Sequence, residues 1–224
     1  MTNYSPKSFP QPTTKRKVDR EGADFYPTPL WATEALLQQE SFEGLVWEPA
    51  CGDGAMSRVL IANGLQVVSS DLYNRGYGTT GADFLEEVGA DFDFIPNIIT
   101  NPPYNLAGEF VQAAWQKSTK KFAFLLRLAF LEGIDRYESI YTKIPPTRVW
   151  VFTKRVTFYP KGAAKKGSGT TAYGWFVWDK QDNKVCYSNG VESRRDTQLC
   201  WLPPYRKITQ ALTLENLGLA GRKK

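Results

Sequence analysis

The sequence predicts an α/β domain built on a mostly parallel sheet with an antiparallel edge strand. Three observations carry that prediction. Short apolar, β-branched or aromatic runs alternate with segments whose apolar residues recur at helical spacing. The stretch "GLVWEPACGDG" reads as a buried strand ending in a glycine loop, followed by a helix and a second strand, a βαβ unit. The two apolar runs "TRVWVFT" and "YGWFVWD" then follow one another with no clear helix between them, which an antiparallel pairing explains.

The elements follow in order. Residues 1–22, rich in Pro, Ser, Thr and Lys, lack apolar periodicity and are expected to form a disordered basic arm. Residues 23–224 are expected to form a single domain, beginning near "DFYPTP". In "LWATEALLQQ", Leu30, Ala32, Ala35 and Leu36 fall mostly on one helical face. After the first strand, "AMSRVLIANG" turns Met56, Val59 and Leu60 inward and stops at Gly64. "LQVVSSDL" is the second strand and "PNIITNPP" another. A helix over "LAGEFVQAAW" places Ala107, Phe110, Val111 and Ala114 at i, i+3, i+4 and i+7, and "KFAFLLRLAF" is a buried strand. Between the last two strands, residues 160–172 form a Gly/Lys/Thr loop expected to be mobile and basic. Residues 180–219 read as a hairpin with a turn at "SNG" and a closing helix over "KITQALTLENLGL".

Composition narrows the chemistry. The chain contains no histidine, which excludes serine–histidine and cysteine–histidine hydrolysis and the commonest general base. Three cysteines, Cys51, Cys186 and Cys200, lack paired metal-ligand spacing, so neither a disulfide framework nor a metal is expected. No apolar run approaches the roughly 18 residues of a membrane span, and the first residues have no signal-peptide pattern. The expectation is a soluble cytoplasmic protein. Charge is segregated along the chain: residues 139–178 hold seven basic residues and no acid, whereas residues 82–109 hold six acids and no base. That pattern suggests one face that meets polyanions.

Several residues carry chemistry. Gly52 and Gly54 permit a tight turn and close backbone approach at the carboxyl end of the first strand, where open α/β sheets bind ligands. Asp71, 19 residues after Gly52, stands where an acid accepts ribose hydroxyls. Asp83 offers an acceptor for an adenine amine, with Phe84 beside it to cover the ring. A nucleoside-containing ligand is expected, although the loop lacks the third glycine of the dinucleotide fingerprint and has no Walker lysine.

The set "DFYPTP", "EPACGDG", Asp71, "ADF" and "TNPPY", in this order, resembles the S-adenosylmethionine-dependent amino-methyltransferases, particularly the small, phage-type DNA adenine-N6 methyltransferases with an NPPY motif. The resemblance spans roughly residues 24–180. It implies a Rossmann-like class I methyltransferase sheet of seven strands whose last strand is antiparallel. It also implies a cofactor site: Thr28, with Tyr26 as neighbour, at the methionine end of S-adenosylmethionine; Glu48, Ala50, Cys51, Gly52 and Gly54 around it; Asp71 and Leu72 at the ribose; Asp83 and Phe84 at the adenine; and Asn101 at the boundary with the substrate.

The NPPY residues also have a physical logic. An aromatic exocyclic amine is a poor nucleophile because its lone pair is delocalised into the ring. The Asn101 side-chain oxygen and the Pro102 carbonyl can each accept one N–H and hold the amine pyramidal, and Pro102 and Pro103 fix those acceptors in direction. Tyr104 supplies a flat face for a base flipped out of its helix. A tuned general base is unnecessary, because the nitrogen loses its proton readily once methylated, so the absence of histidine is compatible with this reaction. Cys51 lies in the glycine loop rather than after a proline in a loop of its own and is expected to pack, not to attack. Arg127, a charge in an apolar strand, needs either an ion-pair partner or a substrate. Arg155, Lys161, Lys165 and Lys166 are expected to neutralise phosphates of DNA, with RNA as the alternative polyanion. The same amine chemistry also serves an RNA base or a protein glutamine, and a non-enzymatic nucleic-acid-binding protein on the same fold is the remaining alternative. Oligomeric state is not legible in the sequence.

Overall fold

A computed structural model describes residues 26–86, 95–159, 169–182, 186–188, 191–193 and 196–204. Strands β1 (Val46–Glu48), β2 (Val67–Asp71), β3 (Thr79–Thr80), β4 (Ile95–Thr100), β5 (Ser118–Arg127), β6 (Arg148–Phe152), β7 (Tyr173–Asp179) and β10 (Gln198–Leu202) form one eight-stranded sheet in the order β10-β6-β7-β5-β4-β1-β2-β3. β8 (Cys186–Ser188) and β9 (Val191–Ser193) pair antiparallel as a separate ribbon. The helices are α1 (Leu30–Leu37), α2 (Ala55–Ala62), α3 (Ala107–Lys117) and the single turn α4 (Ile134–Arg136), which runs into a π-turn at Tyr137–Tyr141.

β7 is the one strand of the eight that runs against its neighbours, pairing antiparallel with both β5 and β6. The mostly parallel sheet is as expected, but its antiparallel strand lies inside rather than at the edge. The edge is β10, which pairs parallel with β6 over five residues and makes eight strands instead of seven. Residues 198–202 therefore belong to the main sheet and not to a hairpin.

Period-two alternation sorts the strand side chains onto two faces. Phe122, Phe124 and Leu126 of β5, with Phe176 and Trp178 of β7, face α3 and the π-turn, where Phe110, Val111, Ala114 and Ile140 meet them. Ala123 and Leu125, with Trp175 and Val177, face α1 and α2, where Ala32, Leu36, Met56 and Leu60 close the other layer. The predicted helix faces are the buried ones. The result is a three-layer sandwich of helices, sheet and helices.

Because β1, β2, β4 and β5 run parallel, their carboxyl ends open on one edge. Residues 49–54, Asp71, Asn101–Tyr104 and Arg127 all lie there, and β7, running the other way, begins there with Tyr173. The opposite edge carries a charge lattice. Arg148 donates to Glu40, Asp179 and Asp182, and Lys121 bridges Glu40 and Asp179. Arg148 thus stands in a buried ion network at the far end of the sheet and leaves the basic run that the sequence suggested for polyanions.

Candidate active site

Asn101 and Tyr104 follow β4 directly. Pro102 is buried and Pro103 exposed, and Pro103, with φ −55° and ψ 120°, ends the strand and starts the turn Tyr104–Leu106 that leads into α3. The Asn101 amide nitrogen donates to Thr28 Oγ1 at 3.2 Å, which fixes the orientation of the side chain. Among the described residues Asn101 Oδ1 is buried with no hydrogen-bond partner, and so is the Tyr104 hydroxyl, which lies beside Tyr173 and Asn101 without a bond of good geometry. Burial first, then the Tyr173 hydroxyl, pushes the Tyr104 phenol far above its ordinary pKa, so it remains protonated. The Tyr104 ring lies 5.7 Å from that of Tyr173, and Tyr173 meets Phe158 edge-on at 5.0 Å.

The glycine loop lies beside this cluster. Gly52 N–H donates to Asp71 Oδ2 and Tyr73 N–H to Asp71 Oδ1, each at 2.8 Å. Each carboxylate oxygen thus accepts one backbone bond and keeps capacity for another. Leu72, 43% exposed, projects immediately after it. Tyr26 is 41% exposed near buried Thr28. Ala50 is half-buried.

Three residues stand differently from expectation. Glu48 is 2% exposed, below the loop rather than in it. It accepts from Ser57, which in turn bonds Ser69 at 2.6 Å, so the carboxyl ties β1, α2 and β2 together. Burial raises its pKa to about 8, against the Ser57 hydrogen bond. Phe84 is a core ring, 2% exposed, packed on Trp47 at 5.1 Å and Phe110 at 4.8 Å, so it offers no free face to an adenine. Leu72 is the exposed apolar side chain at that end. Gly54, with φ 79°, admits a neighbour of its own chain: a Cβ there would fall 2.5 Å from the Tyr77 ring, whose face also carries the Arg58 guanidinium at 4.5 Å.

Asp83 Oδ1 accepts from Leu85 N–H and shapes a turn. Cys51 is buried and burial pushes its thiol up to about 12, which fits packing and not attack. Arg155 donates to the carbonyls of Gly169 and Thr170 at 3.1 and 2.8 Å, clamping the end of the basic loop from its own side. Lys161, Lys165 and Lys166 lie outside the described residues, as do residues 1–22 and the helix expected at the carboxyl end. Among the described residues no three of Cys, Asp and Glu gather as a metal site needs, and no helix is long and apolar enough to cross a membrane.

Sequence reasoning did not place Tyr77, Tyr173 and Phe158 at this edge. Tyr173 reaches it only through the antiparallel pairing of β7 with β5, a long-range event without a local signal.

No protein-family model and no curated protein matches the chain. Solved structures do. The EcoKI M protein of a type I restriction enzyme superposes with a TM-score of 0.53 at 14% identity, over 86% of this chain and 52% of its own. A putative RNA methyltransferase from Pyrococcus horikoshii gives 0.51 at 15% identity, over 69% and 86%. A modification subunit of a putative type I restriction enzyme from Vibrio vulnificus gives 0.50 at 14%, over 77% and 49%. The fold is that of the Rossmann-like methyltransferases. At these identities the likeness is one of fold, and the chain spans about half the length of both restriction subunits.

Proposed function

We propose that this chain methylates the exocyclic N6 amine of adenine in DNA, with S-adenosylmethionine as methyl donor and the target base flipped out of its helix. The observation that carries the reading is Asn101 Oδ1: a buried acceptor at the end of β4, turned away from Thr28 by the bond its own amide makes, and left without a partner among the described residues. A buried acceptor without a donor is costly unless a ligand supplies one, and an aromatic amine has the N–H to give.

The residues at the sheet edge fit the cofactor. Asp71 retains acceptor capacity for ribose hydroxyls, Leu72 offers exposed apolar surface for a purine, and Asp83 follows nearby. Thr28 is bonded to Asn101 and Gly52 to Asp71, and Ala50 belongs to the same loop as Gly52. The cofactor supplies a methyl group activated by its sulfonium.

This chain's own groups do the rest. Asn101 Oδ1 and the Pro102 carbonyl accept the two N–H bonds of the amine and localise its lone pair. The two prolines hold those acceptors in place, which lowers the entropic part of the barrier. Tyr104 stacks on the flipped base. Once the nitrogen carries the methyl group it is cationic and releases its proton to water, so no side chain need act as a base.

Incubation with labelled S-adenosylmethionine and unmethylated DNA, followed by digestion to nucleosides, tests the reading. Label is expected in N6-methyldeoxyadenosine. Label confined to RNA or to protein, or no label at all, refutes it.

A further inference from the structure

The Tyr104 ring is the surface on which the proposed reaction stacks its base, and it already carries a planar group. Arg127, the last residue of β5, places its guanidinium carbon 4.7 Å from the Tyr104 ring centre. Arg127 is exposed. Its situation differs from that of four other arginines. Arg58 donates to the Asp53 carbonyl, Arg136 to two carbonyls, Arg155 to two carbonyls and Arg148 to three carboxylates. Arg127 makes no such bond among the described residues, where Tyr104 is the contact it keeps.

A guanidinium stacks on an aromatic face much as a nucleobase does, and it presents five N–H donors in a plane that matches a phosphate. Among the described residues none accepts from these donors, and Arg127 stands at the carboxyl edge against Tyr104, whose hydroxyl, like Asn101 Oδ1, has no partner there. A flipped nucleotide brings its flanking phosphates to the mouth of the pocket that receives its base. An ion pair within the protein, the structural role open for Arg127 on sequence grounds, is not what the described residues provide.

We infer that Arg127 binds the target nucleotide: it occupies the stacking face of Tyr104 while the site is open, and yields that face to the base while its guanidinium takes a phosphate beside it. The inference rests on the proposed function, since both require a base at Tyr104. It adds a residue that recognises the nucleotide through its backbone and therefore acts on DNA affinity rather than on the methyl donor.

The test begins with the wild-type protein, by calorimetry with S-adenosylmethionine and by label transfer to DNA. Absence of both would overturn the proposed function without bearing on Arg127 separately. Given both, Arg127→Met retains the packed stem and removes the charge, and Arg127→Lys retains the charge without the planar fork. For Arg127→Met, KM for a duplex oligonucleotide is expected to rise about tenfold, and the slope of log affinity against log salt to become shallower by about one. S-adenosylmethionine affinity is expected to match wild type, and Arg127→Lys to recover part of the DNA affinity. A wild-type KM and salt slope in both variants would overturn the inference, as would a fall in kcat with DNA affinity and slope intact, which would mean that Arg127 only steadies Tyr104. Should Arg127→Met fail to fold, Arg127→Gln, which also lacks the charge, is read by the same KM and salt slope, and wild-type values of both would overturn the inference.

Discussion

Asn101 Oδ1 and Tyr104 Oη are two buried polar atoms within four residues of chain that have no partner among the described residues, and each costs stability in the absence of a ligand. Their substitutions should separate. Tyr104→Phe deletes an unsatisfied hydroxyl and keeps the ring, so the protein should be at least as stable in urea unfolding and should retain transfer within a few-fold. Tyr104→Ala removes the stacking face and should weaken DNA binding by about 1–3 kcal/mol. Asn101→Ala should lower the transfer rate roughly 10²–10³-fold, with S-adenosylmethionine binding by calorimetry near wild type; an unchanged rate would remove Asn101 from the chemistry. The placement of these residues is legible in the sequence because it is local: a strand, an amide, two prolines and a ring in succession. Phe84 misleads for the same reason. An aromatic beside an acid looks like a ring cover until the core contacts of Trp47 and Phe110 show where it packs.

At the scale of elements, the long periodic segments α1, α2, α3, β5 and β7 were readable because each repeats its pattern over two or more turns or pleats. β3 has two residues and no pattern to read, and β10 exposes Leu199 and Trp201, which disguises a sheet strand as a surface hairpin. The lattice at the amino edge was invisible, since Arg148 finds Glu40 across 108 positions of sequence. Burial alone would raise the Glu40 pKa, but hydrogen bonds from Arg148, Trp150 and Lys121 hold it below the ordinary value. Removing Arg148 takes away the guanidinium bonds to Glu40, Asp179 and Asp182 but leaves Glu40 with Lys121 and Trp150, so Arg148→Met should cost about 1–3 kcal/mol. Arg148→Met combined with Glu40→Gln should cost clearly less than the two single changes added together. A double-mutant cycle in urea measures the coupling, and strict additivity would mean that the pair does not act as a unit.

For the whole molecule, stability against pH should have two limbs of opposite origin. Glu40 and Asp179 have depressed pKa values; burial opposes the depression, and hydrogen bonds from Arg148 and Lys121 outweigh it. Their contribution is present above the unfolded values of 4.5 and 3.8 and disappears as pH falls through the lower folded values. Glu48 behaves in reverse. Its folded pKa of about 8 exceeds the unfolded 4.5, so its contribution is complete below 4.5 and is lost as pH rises toward 8. Glu48→Gln should therefore flatten the decline between those two values and leave the acid limb in place, as thermal unfolding across that range would record; an undiminished decline would assign it to other groups. The sheet order also has a consequence for biosynthesis. β6 leaves the ribosome before β7, yet β7 must lie between β6 and β5. The growing chain therefore carries β5, with Phe122, Phe124 and Leu125, as an open edge until residues 173–179 emerge, an interval on the order of seconds at cellular translation rates. In that interval the nascent chain is a substrate for chaperones and for its own copies, so its yield in the cell is sensitive to how quickly that stretch is translated.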